Sequence, residues 1–261
     1  MAEALRCKKS LTGGILIVSF NFEAMAGYVA RRYRVIACNW APKFTTPRIV
    51  QIHVPRTGGR SIRESLRQQL PIWSLSRHQD FSSQQPPGNT YLYLGHLKPR
   101  AVIDYGLLAR WQLEESYSFA VCRNPYTRII SLLSHFERKG MLEGGLSELL
   151  HILQSPKSKN ESPSAHRIRQ MGRPQMYWLA PDGWRGPTSI FRFEDLSFAL
   201  EGISREIGVE LVPQPIGTNK GPMQFELGDE QILRIQEVYE ADFTRLQYSP
   251  QPPMFDSQVA M

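Results

Sequence analysis

Runs of consecutive apolar residues alternate along the chain with stretches in which apolar residues recur every three or four positions. The runs predict strands over residues 14–20, 49–54, 90–94, 118–122 and 188–193. The helical period predicts helices over 61–70, 101–108, 125–136, 146–153, 165–171, 195–207 and 229–246. Strands that alternate with helices are typical of an α/β domain with a central, mainly parallel sheet, in which ligands bind at the carboxyl ends of the strands.

The same pattern divides the chain into an N-terminal extension (residues 1–45), one α/β domain (46–250) and a C-terminal tail (251–261). In the extension, basic residues precede a short apolar run, as in a signal peptide, but Asn21 and Glu23 interrupt it and it is too short to span a membrane. We therefore expect a cytoplasmic protein with no stable membrane span. A membrane-associated or Golgi location is the alternative if the N-terminus is incomplete.

Composition and charge narrow the classes of function. The 261 residues are 41% hydrophobic and 21% charged, close to globular averages, which excludes disordered, collagen-like and coiled-coil proteins. The net charge of +7 favours an anionic partner, and the first 140 residues carry the surplus, with 20 Lys and Arg against 8 Asp and Glu. Three widely spaced cysteines without a C-x-x-C pair argue against a zinc site, so no metal is expected. The chain also lacks the interleaved basic and aromatic residues of a nucleic-acid module, so nucleic acid is not an expected partner.

The strongest local signal is the sequence P-R-T-G-G-R-S at 55–61, between a predicted strand and a predicted helix. Two glycines allow a tight bend that brings backbone N–H groups and the helix N-terminus around an anion. Hydroxyls of Thr57 and Ser61 add donors, and two arginines add positive charge. The loop is not a Walker A motif, because G-x-x-x-x-G-K-[ST] is absent. On composition alone, a glycine turn with two solvated arginines is the alternative.

A second motif, R-N-P-Y-T-R-I-I-S at 123–131, follows the strand over 118–122. Arg123 at the strand end and Ser131 in the following helix can converge on a second phosphate, through a planar guanidinium and a hydroxyl. Arg128 has the alternative of a local ion pair. Taken alone, the pattern is weak evidence for a phosphate site, and a salt bridge at a helix start is its default interpretation.

Together and in this order, the two motifs resemble those of a known family. V-P-R-T-G-G-R-S at 54–61 is similar to the 5′-phosphosulfate loop, P-K-T-G-G-T-S, of the sulfotransferases related to the Golgi heparan and chondroitin enzymes. R-N-P-Y-T-R at 123–128, with Ser131, is similar to their 3′-phosphate motif. The resemblance extends over about residues 48–248 and includes G-H at 95–96, P-Q at 174–175, I-F-R-F-E-D-L at 190–196 and V-Y-E-A-D-F at 238–243.

The resemblance implies a P-loop nucleotide-kinase-like, three-layer α/β fold. It also implies transfer of a sulfonate group from 3′-phosphoadenosine 5′-phosphosulfate (PAPS) to a hydroxyl or amine of a glycan or small-molecule acceptor. His96 would be the general base, with a strand-end histidine of no chemical role as the alternative. Gln175 and Trp178 would line the acceptor cleft, unless Trp178 belongs to the core. The residues that would bind the donor are Arg56, Thr57, Gly58, Gly59, Arg60, Ser61, Ile62, Arg123, Ser131 and Lys220.

Two departures from the family pattern bear on activity. Arg56 stands where the family has lysine; it keeps the positive charge that stabilises the departing phosphate, but its guanidinium cannot donate a proton. Arg60 replaces a threonine and removes one hydroxyl from the predicted 5′-phosphate site. These departures motivate the alternative function of a catalytically impaired sulfotransferase-like protein that binds nucleotide or sulfated polyanion. The sequence leaves the acceptor and the oligomeric state open.

Overall fold

A computed structural model describes residues 8–12, 15–19, 48–70, 72–74, 91–95, 97–104, 107–180, 186–211 and 226–253. Its strands are β1 (Lys8–Thr12), β2 (Ile15–Ser19), β3 (Ile49–Ile52), β4 (Ile72–Ser74), β5 (Tyr91–Tyr93), β6 (Tyr117–Cys122) and β7 (Ser189–Arg192). Its helices are α1 (Gly59–Arg67), α2 (Pro99–Asp104), α3 (Arg110–Glu115), α4 (Pro125–Glu137), α5 (Gly145–Gln154), α6 (Pro163–Met171), α7 (Met176–Leu179), α8 (Leu196–Ile207), α9 (Asp229–Val238) and α10 (Glu240–Arg245).

Five strands form one parallel sheet in the order β4-β5-β3-β6-β7. In the central part, Ile49 of β3 lies opposite Tyr91 of β5 on one side and Tyr117 of β6 on the other. The segments that follow these three strands therefore leave the sheet at the same edge. This confirms the predicted parallel α/β sheet, while β1 and β2 form a separate antiparallel pair.

Successive residues of a strand point to opposite sides of the sheet, so the sheet has two apolar faces. Helices pack against both of them. Val50, Ile52 and Cys122 pack into a core with helices that include α4, α5 and α9. Ile49 and Phe119 pack into a second core with α1 and α8. All four residues of β3 are buried, as expected for a parallel strand covered on both faces. The result is the expected three-layer α/β fold.

The predicted helix over 229–246 is in fact two helices, and the break falls at Tyr239. This residue has non-helical backbone angles, and its buried hydroxyl donates to the carbonyl of Gly172 at 2.8 Å. The break allows Asp242 in α10 to reach the segment that follows α6. The short elements β1, β4, α3 and α7 were not predicted, because segments of three to six residues carry little periodic signal.

Two predicted site residues, His96 and Lys220, lie outside the described residues, as does most of the extension over 1–45. In the part of the chain that is described, no helix has both the length and the hydrophobicity needed to cross a membrane.

Candidate functional site

The glycine-containing loop follows β3 at the carboxyl edge of the sheet, and its shape depends on two residues with positive φ. Arg56 has φ +66° and Gly58 has φ +77°. Between them, Thr57 is fully buried, and its hydroxyl donates to the carbonyl of Val54 at 2.9 Å. Gly58 then precedes the first residue of α1. In this structure, the Thr57 hydroxyl thus fixes the loop; its predicted role in donor binding stays a prediction.

Packing also requires glycine at both position 58 and position 59. A Cβ at Gly58 would lie 2.4 Å from Cδ2 of Phe193. A Cβ at Gly59 would lie 2.8 Å from Nδ1 of His53, and the Gly59 carbonyl accepts from the buried Gln51 side chain at 3.0 Å. The loop is therefore held against the sheet and against Phe193, with little freedom to rearrange.

Gly58→Ala is expected to destabilise the protein more than Gly140→Ala. Both glycines have positive φ, so both substitutions carry left-handed backbone strain of about 1–2 kcal/mol. A Cβ at Gly140 meets nothing within 4 Å, whereas at Gly58 the contact with Phe193 adds about 1–3 kcal/mol of overpacking. Urea unfolding of the two variants measures the difference. Equal losses would show that Phe193 does not constrain the loop.

The two sequence motifs meet at this edge of the sheet. Nε of Arg56 donates to the Ser131 hydroxyl at 3.1 Å, and Nη1 of Arg123 approaches the Arg56 carbonyl at 3.4 Å. The Arg123 guanidinium also donates to the Thr127 hydroxyl at 3.0 Å and lies 4.2 Å from the ring centre of Phe193. The structure thus brings together Arg56, Arg123 and Ser131, as the two motifs predict.

The positive charge at this point is concentrated and only partly solvated. Burial, partly opposed by the charge of Glu194 and assisted by the positive charges of Arg56 and Arg128, lowers the pKa of Arg123 to about 10. Burial also lowers the pKa of Arg56, and the charge of Arg138 acts in the same direction. Among the described residues, no salt bridge includes Arg56 or Arg123. Arg123 stays protonated at neutral pH, so the arrangement favours binding of an anion.

Arg128 is completely buried, and the local ion pair considered for it is absent from the described salt bridges. Its Nε donates to the Pro55 carbonyl at 3.1 Å, and its Nη2 donates to the Met171 carbonyl at 3.0 Å. The guanidinium also lies 5.9 Å and 5.6 Å from the ring centres of Trp178 and Tyr239. Arg128 therefore ties the first loop to the end of α6, a role that the sequence did not reveal.

Gln175 and Trp178, the predicted acceptor contacts, are both buried. The Gln175 side chain accepts from the Arg123 N–H at 2.8 Å and donates to the Arg123 carbonyl at 2.7 Å. Trp178 packs in the core on the α4 side of the sheet. In this structure, Gln175 fixes the backbone of Arg123, and neither side chain forms the wall of an open cleft. Acceptor contacts for both stay a prediction.

Glu194 connects the second motif to the C-terminal segment. One carboxylate oxygen accepts from the Asn124 N–H at 2.8 Å, and the other accepts from the Tyr248 hydroxyl at 3.0 Å. The Asn124 side chain in turn accepts from the Tyr126 N–H at 3.0 Å and caps α4. Glu194 therefore helps to fix the turn that carries Arg123.

The remaining predicted donor residues occupy different environments. Arg60 is exposed, and the backbone N–H of Ser61 donates to the Gly58 carbonyl at 2.9 Å. Ile62 is buried in the core between α1 and the sheet, which leaves only its backbone for a ligand. At the end of β5, the Leu94 N–H donates to the Gln51 carbonyl at 3.1 Å, so this segment leaves the sheet beside the loop that follows β3.

No family model and no curated protein matches the chain. The fold is similar to that of a crystal structure of a sulfotransferase from Alicyclobacillus acidocaldarius, with a TM-score of 0.52 and 14% identity over 78% of this chain and 95% of that chain. This similarity shows a shared fold. A mouse sulfotransferase, SULT7A1 complexed with PAP, aligns with a TM-score of 0.35 and 11% identity over 94% of this chain and 77% of that chain.

Proposed function

We propose that the protein is a PAPS-dependent sulfotransferase that transfers a sulfonate group to a hydroxyl or amine of a glycan or small-molecule acceptor. The observation that carries this proposal is the convergence of Arg56, Arg123 and Ser131 at the carboxyl edge of a parallel sheet. The fold shared with a sulfotransferase supports it. The proposal needs no metal ion.

The residues of the loop and the second motif fit the anionic groups of such a donor. The loop backbone from Arg56 to Ile62 and the N-terminus of α1 would hold the 5′-phosphosulfate. Arg123 and Ser131 would hold the 3′-phosphate, because a guanidinium and a hydroxyl both donate to phosphate oxygens. Lys220 would add a further donor-binding cation. When bound, the donor supplies the sulfonate group and a phosphate leaving group.

In the proposed reaction, a bond forms between the acceptor oxygen or nitrogen and sulfur, and the bond between sulfur and the phosphate oxygen breaks. His96 takes the proton that the acceptor loses. Arg56 stabilises the negative charge on the released phosphate oxygen, without donating a proton to it. The half-buried position of Arg56 strengthens this electrostatic role, because water screens the charge less there.

The second candidate function is binding of nucleotide or sulfated polyanion without turnover. It is favoured by Arg56, which stands in the place of the family lysine and whose Nε donates to Ser131. If this function is correct, PAPS binds but no sulfonate is transferred, and Arg56→Lys restores transfer. Transfer by the unmodified protein would exclude it.

Calorimetry with adenosine 3′,5′-bisphosphate tests the donor site directly. We expect the unmodified protein to bind this nucleotide and Arg123→Gln to bind it about 10- to 100-fold more weakly, because a charged hydrogen bond to phosphate contributes about 1.5–3 kcal/mol. Arg205→Gln, an exposed arginine in α8, is the control for the loss of one positive charge and is expected to leave affinity unchanged. Absence of binding by the unmodified protein would refute the proposed function.

A further inference from the structure

The C-terminal segment over residues 246–250 lies against the ends of β6 and β7, next to the turn of the second motif. Nη2 of Arg192, the last residue of β7, donates to two carbonyls of this segment at 3.1 Å each. Cζ of Arg192 also lies 4.6 Å from the ring centre of Tyr248. Gln247 has φ +54°, a left-handed conformation that is unfavourable for residues other than glycine. The fold thus holds Tyr248 in a defined position at the cost of backbone strain.

The hydroxyl of the buried Tyr248 is directed at one carboxylate. It donates to Oε2 of Glu194 at 3.0 Å, while Oε1 of Glu194 accepts from the Asn124 N–H at 2.8 Å. Sγ of Cys122 also lies 3.3 Å from the hydroxyl, but sulfur is a weaker acceptor than a carboxylate. Both oxygens of Glu194 therefore accept from uncharged donors.

Glu194 lies close to Arg123 without pairing with it. It follows Phe193, whose ring centre is 4.2 Å from Cζ of Arg123, and it binds the backbone N–H of Asn124. Its negative charge raises the pKa of Arg123 against the effect of burial. None of the salt bridges among the described residues joins the two side chains. If the pair did form, it would compete with a phosphate for the guanidinium.

We infer that the Tyr248 hydroxyl keeps the Glu194 carboxylate from pairing with Arg123, so that Arg123 stays available to the 3′-phosphate of the donor. Tyr248 is thus a positioning residue that acts through Glu194. This inference rests on the proposed function, in which Arg123 binds that phosphate. Rotation of the carboxylate toward Arg123 would break a hydrogen bond to Tyr248 or to Asn124, and this cost keeps the two charges apart.

Tyr248→Phe should weaken binding of adenosine 3′,5′-bisphosphate about 3- to 10-fold, because the ligand must then displace an ion pair between Glu194 and Arg123. Tyr248→Phe/Glu194→Gln should bind within about 2-fold of Glu194→Gln alone, because the amide still accepts from the Asn124 N–H but carries no charge. Calorimetry of the unmodified protein and the three variants measures both differences. Tyr117→Phe, at the opposite end of β6, is the control for loss of a tyrosine hydroxyl and should leave affinity unchanged.

The comparison of the two backgrounds separates this role from simple support of the turn. If the hydroxyl only supported the turn, the amide of Glu194→Gln would lose the same hydrogen bond, and Tyr248→Phe would weaken binding equally in both backgrounds. Salt is a second readout that a supporting role would not move. The loss in Tyr248→Phe should shrink as ionic strength rises, because salt screens a partly exposed ion pair.

Failure of the inference and failure of the proposed function give different results. No binding of adenosine 3′,5′-bisphosphate by the unmodified protein overturns both. Binding by the unmodified protein overturns the inference alone if Tyr248→Phe has unchanged affinity, or if its loss is equal in both backgrounds or independent of salt. Glu194→Gln alone should bind at least as tightly as the unmodified protein, since it removes a negative charge beside the phosphate. Weaker binding by Glu194→Gln also overturns the inference, whether or not Tyr248→Phe folds.

Discussion

Replacement of His96 by alanine is expected to lower kcat by about 10²- to 10⁴-fold, the usual contribution of a general base. The acceptor must lose a proton as it attacks sulfur, and histidine has a pKa suited to accept that proton near neutrality. Affinity for adenosine 3′,5′-bisphosphate should not change, because the proposed donor contacts come from the loop after β3 and from the second motif. A labelled-donor transfer assay, together with calorimetry, measures both quantities.

Two other histidines make this experiment specific. His151, in α5, is exposed, and His151→Ala is the control that should leave turnover unchanged. His135 is the rival base, because it lies one helical turn after Ser131, and burial with the nearby positive charges of Arg56 and Arg138 lowers its pKa. A histidine with a lowered pKa is neutral at neutral pH and can accept a proton. Loss of turnover in His135→Ala but not in His96→Ala would identify His135 in α4, and not His96, as the base.

Much of the fold was predictable because its central strands are short, mostly apolar runs that are soon followed by proline. Strands β3 and β6 have this character, and parallel strands release their following segments at a common edge. That rule places the loops after both strands at the same edge of the sheet, and β3 and β6 are neighbours in the structure, where Arg123 Nη1 lies 3.4 Å from the Arg56 carbonyl. The glycine pair was also informative, since both the bend and the contact with Phe193 exclude larger residues.

What the sequence did not reveal depends on contacts between distant segments. Arg128 binds carbonyls 73 and 43 residues away, and Gln175 binds a backbone 52 residues away. No local pattern encodes such partners. A signal for Arg128 did exist, because it precedes Leu132 and Phe136 at four-residue intervals, and this spacing places it on the buried face of α4.

Arg128→Met should be the most destabilising substitution in the site, with a loss of about 3–5 kcal/mol in the free energy of unfolding. Methionine fills most of the volume, but the Pro55 and Met171 carbonyls lose their donors. The buried carboxylate of Asp242 also loses a positive charge that favours its ionised form. Burial already raises the pKa of Asp242, so removal of Arg128 should raise it further.

Urea unfolding of four variants separates these effects: Arg128→Met, Arg138→Met, Asp242→Asn and the double variant Arg128→Met/Asp242→Asn. Arg138→Met removes an exposed arginine at the end of the same helix and should cost about 0.5 kcal/mol or less. Arg128→Met/Asp242→Asn removes both charges, so its loss should be smaller than the sum of the losses of the two single variants. Additive losses would show that Asp242 does not depend on Arg128. If Arg128→Met lowered the free energy of unfolding as little as Arg138→Met, the buried guanidinium would not hold the loop after β3. Unchanged affinity of Arg128→Met for adenosine 3′,5′-bisphosphate would support the same conclusion.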